Sequence, residues 1–258
     1  MNVTIKYAAG SDIGCNRENN EDSAYAGPRL IAVADGMGGY AGGEVASSTV
    51  IGSLRSLDAE ALPVEELKDA LGRAVAEANE KLRIAREERP DLSRMGTTLT
   101  AMLWNGTHVA LAHIGDSRGY LLRDYELLQM TGDHTMDQLL KAESPHPEEQ
   151  GGEPSRLSHV LYRVLDGRDD RDPDLQLREA RVGDRYLLCS DGLSGVVDAQ
   201  TIYEVLEAEA EPAGAVARLI ELARAGGGPD NITCVVADLL DGDPASGGAP
   251  LLVGAAAQ

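Results

Sequence analysis

"LIAVADGMGGYAGGE", residues 30–44, decides how the chain is read. An apolar run ends on Asp35, passes through a glycine cluster and enters a segment with helical spacing. Two chemistries fit this junction. Gly36-x-Gly38-x-x-Ala41 matches the glycine fingerprint of a dinucleotide-binding turn, where backbone amides approach a pyrophosphate. Alternatively, Asp35 is a carboxylate presented at a strand end, and the glycines let something approach the backbone beside it. The stretch alone fits both, so its surroundings decide.

A dinucleotide site needs a second parallel strand after the first helix, ending in an acid about twenty residues on. Asp58 stands near that distance. However, helical spacing (Val45, Ala46, Thr49, Val50, Ser53, Leu54, Leu57) persists to Leu57, and a second helix over about Val64 to Arg86 follows. Elsewhere strands come in batches: "DSAYAG" and "RLIAVA"; then "TTLTAMLW", "HVALAHIG", "RGYLLR" and "ELLQM"; then "DLQLREA" and "RYLLCS"; last "NITCVVADLL". Turn residues such as Asn105-Gly106 separate several of them, which points to antiparallel pairing. Batches of strands divided by helix pairs predict an α+β fold, a four-layer αββα sandwich of two antiparallel sheets flanked by helix pairs. One domain is expected over 1–241. Residues 242–258, rich in Gly, Pro and Ala, are expected to be a flexible tail. Residues from about 131 to 172, with Pro, Gly and many charges, read as an insertion or flap holding short helices near Thr135–Ala142 and Leu157–Leu165.

The 258 residues are 43% hydrophobic, enough for one sizeable core, and the absence of Phe makes that core aliphatic. The formal net charge of −20, with no basic cluster, repels phosphate backbones, so no nucleic-acid partner is expected. Cys15, Cys189 and Cys234 are too scattered for a disulfide framework and fit a reducing, cytoplasmic setting. No run reaches the roughly 18 apolar residues of a membrane span. A monomer is expected.

Three apolar strands run into an acid next to glycine: Asp35-Gly36, Gly115-Asp116 and Asp191-Gly192. Asp230 stands just before the last strand, and Glu21-Asp22 just before "SAYAG". Any one of these is an ordinary turn or helix cap. As a set they sit where one sandwich gathers them at one rim. Carboxylates gathered in that way repel unless a cation sits among them, and all-oxygen ligation selects a hard cation.

The ordered motifs Ser11-Asp12-x-Gly14-x-x-Arg17-x-x-Asn20-Glu21-Asp22, Ala34-Asp35-Gly36-Met37-Gly38-Gly39, Met95-Gly96-Thr97-Thr98, Gly115-Asp116-Ser117-Arg118, Cys189-Ser190-Asp191-Gly192-Leu193 and Pro229-Asp230-Asn231 resemble those of the PPM family, the metal-dependent protein phosphatases of type 2C, in its bacterial form. They span about residues 7–240, so 1–241 is expected to be the catalytic domain. The resemblance implies phosphoserine and phosphothreonine hydrolysis with two Mn2+ or Mg2+ ions and a weaker third. It implies that Asp35 bridges the two ions, that Gly36 lends its carbonyl to one, and that Asp191 and Asp230 hold the other. It also implies that Glu21 and Asp22 act directly or through water, that Asp116 holds the third ion, and that Arg17 grips the phosphate. The resemblance further implies that a metal-held hydroxide would attack phosphorus in line. The implied partners are phosphorylated proteins, among them Ser/Thr kinases and their substrates.

Two departures from the family pattern stand out. Gly195 replaces an acid that many relatives use at the third ion, and Met37 stands where eukaryotic relatives often carry His. Rival phosphate chemistries fail on spacing: no Arg stands six residues after Cys15 or Cys189, and no Lys follows a Gly. The reading from another class is a catalytically weak or inactive regulator that binds phosphoproteins on the same fold. Retention of Asp35, Asp191 and Asp230 speaks against it.

Overall fold

A computed structural model describes residues 3–38, 42–143, 157–169, 171–242 and 248–258. In chain order the elements are β1 (Val3–Asp12), β2 (Ser23–Ala26), β3 (Leu30–Ala34), β4 (Gly36–Met37), α1 (Gly42–Leu54), α2 (Val64–Glu88), β5 (Gly96–Thr97), β6 (Leu99–Trp104), β7 (His108–Ile114), β8 (Arg118–Arg123), β9 (Glu126–Gln129), α3 (Met136–Glu143), β10 (Asp174–Glu179), β11 (Arg185–Cys189), α4 (Asp191–Ser194), α5 (Ala199–Ala208), α6 (Pro212–Ala225), β12 (Ile232–Asp241) and β13 (Leu251–Gly254). They build one sheet in the order β1-β12-β11-β8-β9 and a second in the order β10-β7-β6-β3-β2-β13, with antiparallel pairing throughout.

Continuous apolar strands explain the layering. Successive side chains leave a strand on opposite faces, so a strand apolar at every position must be covered twice. In β3, Leu30, Ala32 and Ala34 face α1 and α2, while Ile31 and Val33 face the other sheet. In β12, Val235, Ala237 and Leu239 face the first sheet's partner, while Ile232, Cys234 and Val236 pack under α5 and α6. Three cores therefore alternate with four layers, helices–sheet–sheet–helices, as the strand batches predict.

Asp58, the rival ribose-binding acid, is 8% exposed and serves the fold. Its carboxylate accepts from the Tyr25 hydroxyl (2.8 Å), Arg29 N (2.6 Å) and Leu30 N (3.0 Å), capping the entry to β3. Among the described residues no parallel strand follows α1, so the geometry a dinucleotide needs is not formed there.

Two expectations are corrected. The tail is not flexible over its last residues: Leu251–Gly254 pairs with β2 as an edge strand, and Ala255 N donates to the Asp22 carbonyl (2.7 Å). The segment "LLVG" supplies apolar side chains and open backbone groups that the β2 edge satisfies. Residues 243–247 of that tail lie outside the described residues. The helix expected near Leu157–Leu165 is also absent. Its backbone bonds outward instead, with Met136 N to Val160 O (2.8 Å), Tyr162 N to His134 O (3.0 Å) and Leu165 N to Thr97 O (2.9 Å). The acidic, Pro/Gly-rich part of the expected flap, 144–156, lies outside the described residues, as do Gly39–Ala41 of the opening stretch.

Candidate metal centre

The rim where β3, β7, β11 and β12 begin or end carries the predicted acids. Asp35 leaves β3 with its backbone fixed on both sides. Its N–H donates to Thr98 Oγ1 (3.0 Å), and its carbonyl accepts from Thr98 N and Thr97 Oγ1 (both 2.9 Å). The Thr98 hydroxyl also meets Ser117 Oγ (2.7 Å), so one residue holds the loops of Asp35 and Asp116 together. Gly115, with φ of +111°, makes that turn; a Cβ there would run into the Thr98 side chain.

Asn231 folds the loop before β2 onto the start of β12. Its Nδ2 donates to Ile13 O (3.0 Å) and Asn19 O (2.9 Å), and its Oδ1 accepts from Glu21 N (2.8 Å). That brings Arg17, Glu21 and Asp22 beside Asp230. Arg17 Nη2 donates to Asp230 Oδ2 (2.6 Å) from a half-exposed side chain. Asp22, 1% exposed, accepts from Ser190 Oγ on Oδ2 (2.8 Å), while its Oδ1 has no partner. Asp191 opens the short helix α4. Arg118 pairs with Asp133 (2.7 Å).

Arg17, Glu21, Asp35, Gly36, Asp116, Asp191 and Asp230 line one cleft of about 820 Å³, with Asp22 buried behind it. The far wall comes from His159, Val160, Leu161 and Val164. Gly36 lies so close to its neighbours that a Cβ would collide with the carbonyl oxygens of Gly43 and Glu21.

The electrostatics of this rim are unfavourable for bare carboxylates. Burial, then Asp22, Asp191 and Asp116, hold Asp35 well above the usual carboxylate range. Burial pushes Asp22 up to about 7, against the hydrogen bond from Ser190. Asp116 is likewise raised to about 7 by burial and by Asp191, and Asp191 is raised by burial and by Asp230. Glu21 is raised, first by burial. Each shift has the sign that a bound cation reverses.

The donor set fits hard dications: it is all oxygen, it includes a close-packed glycine carbonyl, and it keeps one buried carboxylate oxygen, Asp22 Oδ1, without a partner. Among the described residues no three His, Cys, Asp or Glu side chains close into a compact cage. The acids face an open cleft, an arrangement suited to ions that retain water ligands.

The sequence-predicted acids thus come together, as does Arg17. Sequence reasoning gave no role to Thr97, Thr98, Ser190 and Asn231, although each lies inside a quoted motif; Ser190 and Asn231 stand directly beside an acid, a signal that Thr97 and Thr98 lack. His159 lay in the segment read as a short helix near Leu157–Leu165, a reading that gave it no role. His113 is 1% exposed on β7, between the Thr100 hydroxyl (3.0 Å) and the Gly132 carbonyl (3.0 Å).

A sandwich of this topology with an acid-lined rim defines a class, and comparison with known families agrees: residues 10–142 match the model of protein phosphatase 2C. The chain belongs to the protein phosphatase 2C family. It is 52% identical over 244 residues to the serine/threonine protein phosphatase PstP of Mycobacterium tuberculosis, covering 94% of this chain and 46% of that protein. The chain therefore spans about half the length of the PstP relatives it matches. It is 32% identical over 237 residues to the serine/threonine phosphatase stp of Listeria monocytogenes, covering 88% of this chain and 93% of that protein. The solved catalytic domain of PstP in complex with two manganese ions superposes with a TM-score of 0.84 at 52% identity, over 93% of this chain and 100% of that one. No described helix is long and apolar enough to cross a membrane.

Proposed function

We propose that this chain is a metal-dependent protein serine/threonine phosphatase, acting on phosphoserine and phosphothreonine in proteins, among them Ser/Thr kinases and their substrates in bacterial signalling. The observation that carries the reading is the set of acids gathered at one cleft that also presents Arg17: Asp22 and Asp116, buried, and Asp35 and Asp191, partly buried, each raised in pKa. The manganese-loaded structure of the PstP catalytic domain supports it.

In this account Asp35, the Gly36 carbonyl, Asp191 and Asp230 hold two divalent ions, Glu21 and Asp22 act beside them, and Asp116 holds a weaker third. Bound there, the ions supply Lewis acidity, which eases deprotonation of water and offsets charge developing on phosphorus. The chain's own residues do the positioning. Thr97 and Thr98 fix the Asp35 backbone, so the carboxylate meets its target without reorganisation. Arg17 presents its remaining N–H groups to two phosphoryl oxygens while Asp230 orients the guanidinium. The wall at His159–Val164 bounds the space left for the polypeptide around the phosphorylated residue.

The test is hydrolysis of a phosphothreonine peptide and of p-nitrophenyl phosphate with manganese, with chelator, and by Asp191→Ala. Activity with manganese that chelator and Asp191→Ala both abolish supports the reading. Activity indifferent to either refutes the mechanism, and phosphopeptide binding without turnover would favour a regulator on the same fold.

A further inference from the structure

His134 lies outside the cleft and none of the roles above uses it, yet it joins two of the cleft's walls. It is 3% exposed. Gly115 N–H donates to His134 Nδ1 (3.0 Å), and the His134 backbone N–H donates back to the Gly115 carbonyl (2.8 Å). A backbone amide can only donate, so Nδ1 carries no proton and the ring's hydrogen is on Nε2. That hydrogen points at Asp174 Oδ2 (3.1 Å). One tautomer therefore satisfies both ends of the ring. Burial, and then Arg163, lower the imidazole pKa, which keeps this neutral form in place.

The second wall is fastened to the same residue. The His134 carbonyl accepts from Tyr162 N (3.0 Å), Thr135 bridges Leu161, and Met136 N donates to Val160 O (2.8 Å). The other oxygen of Asp174 takes Arg163 Nη2 (2.9 Å), so the imidazole and residue 163 of the wall share one carboxylate. The ring sits between His113 (centroids 4.8 Å apart) and Tyr162 (5.6 Å). On one side of His134 is the turn that ends in Asp116. On the other is the segment whose His159, Val160, Leu161 and Val164 line the cleft.

We propose that His134 is a positioning residue that clamps the Asp116 turn to the cleft wall at 157–165 and so shapes the surface receiving the polypeptide on either side of the phosphorylated residue. The proposal rests on the phosphatase reading for its substrate, and on hydrogen bonds alone for the clamp. A phosphopeptide extends along the wall beyond the phosphate; a small aryl phosphate offers the wall far less to hold. Loosening the wall therefore raises the phosphopeptide KM and spares the small substrate. A histidine that merely stabilises the fold would affect both substrates alike.

Two variants separate the halves. Asp174→Ala frees the wall and leaves the Gly115 contacts in place, and its half-exposed side chain makes it the safer substitution for folding. His134→Phe keeps ring packing and loses both side-chain hydrogen bonds. Loss of such hydrogen bonds is expected to change the affinity on the order of tenfold. Asp174→Ala should speed hydrogen exchange of the amides in 157–165 and raise the phosphopeptide KM about tenfold, with kcat on p-nitrophenyl phosphate within about twofold of the parent. His134→Phe should do the same and also lower kcat on both substrates, because the Asp116 turn loosens. The proposal is overturned if exchange in 157–165 stays at the parental rate in both variants. It is equally overturned if the two substrates change by one common factor in Asp174→Ala. If the parent hydrolysed neither substrate, the phosphatase reading would fall, and the exchange result alone would decide the clamp.

Discussion

Replacing Asp22 by Asn should stabilise the chelated protein and weaken its response to metal. Asp22 is 1% exposed, and burial raises its pKa from 3.8 to about 7. That rise corresponds to about 4 kcal/mol of cost for keeping the carboxylate charged. The sign follows from proton binding. The folded form holds its proton more tightly than the unfolded chain, so the cost is absent below the unfolded value, grows as pH rises, and is complete above about pH 7. Asn keeps an acceptor for the Ser190 hydroxyl but leaves an amide hydrogen unpaired, which returns roughly 1–3 kcal/mol. The net gain is about 1–3 kcal/mol, or roughly 3–10 °C in Tm for a chain of this size. Thermal melts in chelator at pH 7.5 should place Asp22→Asn above the parent, with a smaller gap at pH 5. Added manganese should raise Tm less in the variant, because one charge that favours cations is gone. A variant that melts below the parent in chelator at pH 7.5 would refute the reasoning, since Asp22 would then be a structural hydrogen-bonding group and not a like charge awaiting a cation.

Other perturbations test separate parts of the site. Gly36→Ala drives a methyl into the Gly43 and Glu21 carbonyls, and should lower Tm by roughly 3–10 °C and abolish metal-dependent stabilisation in melts. Thr98→Val leaves the Asp35 amide unsatisfied at about 1–3 kcal/mol and releases Ser117, so kcat on the phosphopeptide should fall with the melt only modestly lowered. Arg17→Ala should raise the phosphopeptide KM about 10- to 100-fold, and Arg17→Lys should recover little of it, in steady-state assays. Burial holds His113 down to about 4, against 6.5 in an unfolded chain. Its contribution to stability is therefore complete above pH 6.5 and lost toward pH 4, about 3 kcal/mol in all, and denaturant titrations of His113→Gln should show a flatter dependence over that range.

The layers were legible because β3, β6, β7, β11 and β12 are apolar at almost every position, and such strands must be covered on both faces. The acids were legible because each adjoins such a strand, where its position is rigid. What composition could not carry was pairing between distant segments. The tail "LLVG" reads as a loop by its glycine-rich surroundings, and becomes a strand only because the β2 edge is open beside it. Residues 157–165 carry a helix-like apolar spacing, yet their amides find partners at Thr97 and His134, more than twenty residues away, and the local helix loses. The supporting hydroxyls and amides, Thr98, Ser190 and Asn231, were invisible as functional groups for the same reason: their partners are Asp35, Asp22 and Glu21, brought to them only by the fold.

The central claim is that this carboxylate rim holds divalent ions and that phosphoester hydrolysis depends on them. Calorimetric titration of manganese into the chelator-treated chain and into Asp35→Asn, with phosphothreonine-peptide hydrolysis followed in the same samples, tests it most directly. The account predicts at least two ions bound by the parent and hydrolysis that rises with their occupancy, with both lost in Asp35→Asn. Hydrolysis by the parent with no manganese bound, or undiminished metal binding and turnover in Asp35→Asn, would contradict it.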